Sequence, residues 1–334
     1  MTTRTVTNGN DNGPGSLRYI ISQAAKGDTI VFDPAVNIVT LTSGQILLNS
    51  KNITITGNGA INTSIQTNNS SRIFQISNRV AININKITLK GGKADTGGAV
   101  FVTGSATVTL NGVAIQDNIA TSIGGGLHFS NSNANIYNST ISNNTAKRTS
   151  SQTGGGIYTF NSNVKLFNCT VCNNTAGGSG GGIAENDGDL VIINSTICNN
   201  NSGGFGGGIR NSYGRLTIGN TIVANNTAFG YGNDIHNNNS IPINSLGHNL
   251  IKSPFGAGTL NTTDIINVDP NLKPLGNYGG DTNTMEPIVP SPVINSGDNS
   301  LVSLYLNANN IFTDQRGLPR TVNNTVDIGS VEYQ

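Results

Sequence analysis

Residues that could act on a sugar polymer are concentrated in one part of the 334-residue chain. Glu185, Asp187 and Asp189 fall within one short segment. Arg210 and Arg215 follow one repeat later, and a shift by one repeat places Arg215 beside Asp189. Glycosidases use paired carboxylates, and lyases commonly combine carboxylate-bound Ca²⁺ with a basic proton acceptor. Glu185, Asp187, Asp189 and Arg210 are therefore the candidate catalytic residues.

A structural interpretation of the same segment competes with the catalytic one. Asp-Gly-Asp at 187–189 makes a good turn, and the equivalent positions 131–133 and 161–163 read Asn-Ser-Asn. We therefore interpret the charges as solvated ion pairs between neighbouring repeats, which contribute about 0–1 kcal/mol. We expect no cofactor and no metal; the alternative is a Ca²⁺ site on Asp187 and Asp189.

A candidate binding face follows from aromatic and basic residues at equivalent repeat positions. His128, Tyr158 and Arg210 share one position, and Tyr213 falls at a neighbouring turn. This position adjoins an aliphatic one, so its side chains are predicted to face outward, where aromatic rings can stack on sugars. Asp234 and His236 form a second patch, for which loop hydrogen bonding is preferred over acid–base chemistry.

The composition limits the elements that can hold these residues. Charged residues are 10% of the chain, and the chain has 43 glycines and 53 asparagines. Glycine and asparagine disfavour helices and favour turns, which excludes a mainly helical protein. The net charge is +1 without a basic stripe, so nucleic acid is not an expected partner. No apolar stretch reaches the length of a transmembrane helix.

Two repeated motifs predict the fold. Gly-Gly-Gly occurs at 124–126, 154–156, 180–182 and 206–208, and Asn-Asn-Thr-Ala or a variant follows each triplet. The triplets begin at intervals of 30, 26 and 26 residues. The spacing between copies of the second motif also increases by four residues at the same place, which indicates an insertion near 147–150. Between the motifs the apolar pattern has period two, which indicates strands. Stacked coils of three short strands predict an all-β right-handed parallel β-helix; the leucine-rich repeat signature is absent.

Stacking assigns a role to each repeat position. Two positions are always aliphatic and are predicted to face inward: Ile115, Ile141, Val171, Ile197 and Val223; and Leu127, Ile157, Ile183 and Ile209. A third position is always asparagine and predicts a structural ladder of side-chain amides: Asn138, Asn168, Asn194 and Asn220.

Three regions are predicted along the chain. Residues 1–27 are an N-terminal cap, in which Leu17, Ile20, Ile21 and Ala24 lie on one face of a short amphipathic helix that begins after Ser16. Residues 28–250 are the parallel β-helix. Residues 251–334, with clustered prolines and scattered strand signals, are an irregular C-terminal cap.

The three cysteines do not indicate a disulfide-stapled fold or a zinc site. Cys172 and Cys198 are one repeat apart and should stack in adjacent coils. Parallel in-register geometry is poor for the disulfide dihedral, so free thiols are the preferred interpretation, although the sequence leaves the redox state open.

Several motifs resemble bacterial surface proteins. Ile-Ser-Asn-Asn at 141–144 and Gly-Gly-Ile-Tyr at 155–158 resemble the repeats of chlamydial polymorphic membrane proteins, with Ile or Val in place of their Phe. Five C-terminal segments resemble the choice-of-anchor Q region of bacterial β-helix proteins: 269–270, 279–282, 291–297, 314–317 and 327–332. Residues 11–18 are also similar to such proteins. The resemblance implies an exported bacterial protein displayed on or shed from the cell, although Met1 to Arg4 is not a signal peptide.

These observations predict a non-enzymatic, secreted or surface-exposed β-helix protein, such as an adhesin or matrix protein. Its expected partners are surface polysaccharides or other cell-surface molecules, bound around His128, Tyr158, Arg210 and Tyr213. The alternative is a polysaccharide lyase or glycosidase acting on a lateral face. The two differ in one feature, because an enzyme needs carboxylates that converge in a groove.

Overall fold

The computed structural model describes residues 1–150, 152–238 and 240–334 and shows a parallel β-helix. Within these residues the strands form three parallel sheets of 17, 10 and 6 strands. Each regular coil passes through the large sheet, the ten-stranded sheet and then the short sheet. The predicted fold class is confirmed, and side chains one repeat apart lie against each other in neighbouring coils, as Arg215 lies against Asp189.

The strand bounds are as follows. The large sheet contains Thr3–Val6, Thr29–Phe32, Ile46–Leu48, Ile53–Thr56, Phe74–Ile76, Ala81–Asn85, Val100–Val102, Thr107–Asn111, Leu127–Ser130, Asn133–Tyr137, Ile157–Phe167, Ile183–Ile193, Ile209–Asn211, Arg215–Gly219, Ile235–Asn237, Asn244–Ser245 and Pro254–Phe255. The ten-stranded sheet contains Ile38–Thr40, Ser64–Gln66, Thr88–Lys90, Ala114–Gln116, Thr140–Ser142, Thr170–Cys172, Thr196–Cys198, Ile222–Ala224, Leu250–Ile251 and Ile265–Ile266. The short sheet contains Lys93–Thr96, Ile119–Ile123, Thr145–Ala146, Thr175–Ala176, Asn201–Ser202 and Thr227–Ala228.

The core is a stack of aliphatic side chains along the helix axis. Leu127 pairs with Ile157, and Ile157 with Ile183, in parallel register, and all three are fully buried. The other predicted aliphatic position, from Ile115 to Val223, is also fully buried. Both inward positions are therefore confirmed. Each coil buries its apolar face on the coils above and below, so the core is continuous.

The glycine triplets bring the backbones of adjacent coils into close contact. Gly154 has φ of +60°, a left-handed conformation that disfavours other residues. A Cβ atom on Gly155 would lie 2.2 Å from the carbonyl oxygen of Gly181, one coil further on. The triplet therefore recurs because the first residue makes the turn and the second leaves no room for a side chain.

A buried asparagine ladder runs along the turn between the ten-stranded and short sheets. Its members are Asn118, Asn144, Asn174, Asn200 and Asn226. Each Nδ2 donates to the Oδ1 atom of the next member over 2.9 Å, and each backbone N–H donates to the same oxygen. The ladder thus satisfies backbone groups inside the solenoid that water cannot reach.

The ladder predicted at Asn138, Asn168, Asn194 and Asn220 is interrupted. These residues sit at turns with φ of 48° to 53°. Asn168 donates to Asn138 over 3.2 Å and Asn220 to Asn194 over 3.4 Å, but Asn168 Oδ1 has no partner within the described part of the chain. The reason is that the C-terminal segment binds this position from outside, as in the 2.6 Å bond from Asn168 to the carbonyl of Thr313.

The predicted N-terminal helix spans Leu17–Gln23, and Ser16 caps it by accepting from the backbone N–H of Tyr19 over 3.3 Å. Leu17 and Ile21 are buried and join the main core, so the helix covers one end of the solenoid. In the region that the structure describes, no helix is long and apolar enough to cross a membrane.

The C-terminal segment runs along the outer face of the ten-stranded sheet. Gln315 Nε2 donates to the hydroxyl of Thr140 over 2.8 Å, and Thr170 donates to Gln315 Oε1 over 2.6 Å. Further along the sheet, the backbone N–H of Ser330 donates to Thr196 over 3.1 Å. Short helical pieces at Asn299–Leu301, Val302–Leu306 and Asn307–Asn309 lie in this segment. The segment therefore covers a side of the solenoid.

The boundaries at residues 27 and 250 stay predictions. Strand pairing extends beyond both of them in the structure. Thr3–Val6 pairs with Thr29–Phe32, and Leu250–Ile251 pairs with Ile265–Ile266.

Candidate functional site

The candidate catalytic residues lie on different sides of the large sheet. The strand Ile183–Ile193 alternates its side chains, so Glu185 points into the solenoid and is fully buried. Its Oε2 accepts from the backbone N–H of Gly214 over 3.0 Å. Burial, together with the charges of Asp187 and Asp189, raises the pKa of Glu185 to about 7. Arg210 lies in the alternate position of the next coil, on the outer face, so Glu185 and Arg210 do not form one site.

The two aspartates remain at the surface. Asp189 accepts two hydrogen bonds from Arg215, over 2.6 and 2.9 Å, which is the predicted pairing between adjacent coils. Asp187 occupies the turn with φ of +76°. No group of three or more His, Cys, Asp or Glu side chains in the described residues is arranged to hold a metal ion. The Ca²⁺ alternative at Asp187 and Asp189 stays a prediction.

The predicted binding residues share an outer position but are less accessible than expected. His128 pairs with Tyr158 in register, and both are more than nine-tenths buried. The His128 ring stacks on Phe101 at 4.6 Å and meets Tyr158 edge-on at 5.2 Å, so neighbouring rings cover the faces. Burial and the charge of Arg72 lower the pKa of His128 to about 4. His128 and Tyr158 therefore offer little exposed ring surface to a sugar, and their role in binding stays a prediction.

Tyr213 and Arg210 differ in their exposure. Tyr213 is 69% exposed at the corner of its coil, as a binding role requires. Arg210 is 8% exposed and packs beneath aromatic side chains. Arg210 thus lies just below the surface, beside Phe205 and His236, which the sequence did not predict to lie next to it.

An open cleft of about 900 Å³ lies on the outer face of the large sheet. Both polar and apolar side chains line it. The polar ones come from successive coils: Thr107, Asn133, Asn135, Asn163, Lys165, Asp189, Arg215, Thr217 and Asn244; the apolar ones are Val164, Val191, Leu216, Ile241 and Pro242. The lining residues belong to six successive coils. Because coils stack about 4.8 Å apart, the cleft spans roughly 24 Å along the axis. A groove of this length can hold a polymer of several sugar units.

The parallel register builds the floor of this cleft. Asn135, Lys165, Val191 and Thr217 occupy one outward position, each paired with the next. Beside them, Asn163 Nδ2 donates to Asn133 Oδ1 over 3.0 Å. The ammonium of Lys165 has no hydrogen-bond or ion-pair partner among residues 1–150, 152–238 and 240–334, and its side chain is exposed. The cleft therefore offers amides, hydroxyls and a free cation.

This cleft was not predicted from the sequence. Its outward positions are polar but of mixed type, so no single residue recurs to mark them. The signal that could have found them is the period-two alternation in segments such as Val164-Lys165-Leu166, where the middle residue must point outward.

Comparison with known proteins supports the fold class. No protein-family model and no curated protein sequence matches the chain. The crystal structure of pectate lyase Pel9A is similar, with a TM-score of 0.61 and 15% sequence identity, covering 99% of this chain and 97% of that structure. At this identity the similarity establishes the parallel β-helix fold.

Proposed function

We propose that this protein is a non-enzymatic β-helix protein that binds polysaccharide outside the cell, at a cell surface or in a matrix. The observation that carries the proposal is the cleft, which runs along the axis and combines amides, hydroxyls and Lys165 with apolar side chains such as Val191 and Ile241. Such groups exchange hydrogen bonds with sugar hydroxyls. Support for the location comes from the resemblance of the repeats and the C-terminal motifs to bacterial surface proteins.

Binding is favoured over turnover because the acidic groups do not converge. Asp189 is the one acidic side chain among the described residues that line the cleft, and Arg215 already holds both of its oxygens. Glu185 faces the interior. Glycosidases need two carboxylates about 5–10 Å apart at the scissile bond. The similar structure carries the name of a polysaccharide lyase, so a lyase remains the alternative that the experiment must test.

The test measures retention and turnover together. Neutral and acidic polysaccharides are immobilised in gels, with and without Ca²⁺, and new reducing ends and unsaturated uronates are followed in parallel. We expect retention without product, and about tenfold weaker retention for Lys165→Ala, which corresponds to ~1.4 kcal/mol. Thr217→Phe, which fills the cleft, should weaken retention similarly.

Lys147→Ala is the matched control, because Lys147 is exposed on a loop and does not line the cleft. Product that disappears in Lys165→Ala would identify an enzyme. Equal retention of wild type, Lys165→Ala and Thr217→Phe would place binding elsewhere, and no retention on any polymer would contradict the proposed function.

A further inference from the structure

Arg210 is a nearly buried cation without an acidic partner. Its guanidinium Nη1 contacts Nδ1 of His236, and its Nε has no hydrogen-bond partner within the described residues. No carboxylate in the described part of the chain forms an ion pair with it. Burying a charge is costly unless it is paired or hydrogen-bonded, so a counter-ion would stabilise Arg210 in this position.

Aromatic rings lie beside this arginine and extend from it along the surface. The guanidinium carbon lies 5.7 Å from the ring centre of Phe205. Phe205 and Tyr231 stack at 6.2 Å, and Tyr231 and Phe255 at 5.2 Å. Phe255 also stacks on His236 at 5.0 Å. We call these five residues the aromatic–arginine surface.

The aromatic edge of this surface is accessible, above the nearly buried Arg210, and its arrangement follows from the register of the coils. Arg210 pairs with His236, and His236 with Phe255, so the three share one outward position. Phe205 and Tyr231 lie beside these three residues. They are one repeat apart, and each directly precedes the glycine turn of its coil. Tyr231 is 65% exposed and Phe255 is 45% exposed. Large exposed aromatic patches on a soluble protein mark interaction sites.

We propose that the aromatic–arginine surface binds the carboxylate of an acidic sugar unit, so that the polysaccharide ligand contains uronic acid; this rests on the proposed function. A carboxylate supplies the negative counter-charge that no described residue near Arg210 provides, and its planar shape matches that of the guanidinium. The apolar face of the sugar ring packs against Tyr231 and Phe205. The charge and the rings together are the features of an acidic sugar rather than of a free inorganic anion.

The experiment compares one ligand with and without its charge. Oligomannuronate tetramers and the methyl esters of the same tetramers are titrated calorimetrically into the full chain. We expect the acid to bind about tenfold more tightly than the ester. Arg210→Gln should remove this difference by weakening the acid alone, whereas Arg148→Gln, which changes an exposed loop arginine, should preserve it.

Tyr231→Ala provides a second test that does not depend on the folding of the Arg210→Gln variant. Because Tyr231 is exposed, its loss should weaken the acid and the ester alike, with an unchanged circular dichroism spectrum. Equal binding of acid and ester by the wild type would overturn this inference alone, provided that Lys165→Ala still weakens both. Unchanged binding by Tyr231→Ala would also overturn it. Binding of neither ligand would contradict the proposed function as well.

Discussion

Asn226 donates two hydrogen bonds to one carboxylate oxygen of Asp234, from its backbone nitrogen over 3.0 Å and from its side-chain nitrogen over 2.9 Å. Asp234 thereby takes the place that an asparagine holds in the preceding coils, and it ends the buried ladder. A carboxylate can accept these bonds but cannot donate one onward, so it suits the last position.

The middle of the ladder is expected to be sensitive to truncation. Asn174→Ala removes the acceptor of two bonds from Asn144 and leaves these buried donors unpaired. We expect the free energy of unfolding to fall by about 3 kcal/mol, measured by urea denaturation. Asn163→Ala, in the exposed outer face, should change it by less than about 0.5 kcal/mol. Equal losses in the two variants would contradict a special role for the buried ladder.

The charge on Asp234 predicts a pH dependence of stability. Burial raises the pKa of Asp234 from 3.8 to about 6 in the folded protein. Between these values the folded state holds a proton that the unfolded state has lost, so stability falls as the pH rises. Asp234→Asn keeps the acceptor and removes the charge. The stability advantage of the variant should grow by up to about 1.4 kcal/mol per pH unit from pH 4 to 6. Parallel pH profiles for the two proteins would refute this assignment.

Glu185 predicts a similar effect at higher pH, and no effect on binding. Its folded pKa of about 7 lies above its ordinary value of 4.5, so the wild type should lose stability as the pH rises through this range. Glu185→Gln keeps an oxygen for the N–H of Gly214 and should flatten the profile in thermal denaturation. Polysaccharide retention should be unchanged, because the side chain faces the core. A loss of retention at full stability would return Glu185 to the candidate site residues.

The cysteines are expected to be unreactive in the folded protein. All three are buried free thiols, and burial raises the pKa of Cys169 and Cys172 to about 12 and that of Cys198 well above its ordinary value. Thiolate is the reactive form, so iodoacetamide at pH 8 should leave the native protein unmodified and should alkylate three sites in denaturant. Mass spectrometry distinguishes the unmodified protein from the protein alkylated at three sites. A cross-linked peptide containing Cys172 and Cys198 would show instead that the two form a disulfide.

The sequence determined the coil and its core. A regular repeat with strand alternation fixes which residues stack, because parallel register carries every contact from one coil to the next. The pairing of Asp189 with Arg215 follows because the two residues are one repeat apart. The sequence predicted the interrupted ladder at Asn138, Asn168, Asn194 and Asn220 but not the continuous buried one, because asparagine recurs at more than one turn. Spacing alone does not tell which turn faces the interior.

The tertiary structure decided what lies at the surface. His128 and Tyr158 are in the predicted register, and the rings of Phe101, His128 and Tyr158 at this one position cover each other, which depends on ring orientation and not on the repeat spacing. The C-terminal segment, which has no repeat, reaches Thr140 and Thr170 through Gln315, a contact between residues about half the chain apart. Arg210 lies beside His236 and Phe205 rather than beside Glu185, because alternation along a strand sends adjacent side chains to opposite faces. A repeat thus specifies which residues stack, and their accessibility depends on the packing of the stacked side chains and on the C-terminal segment that covers one side.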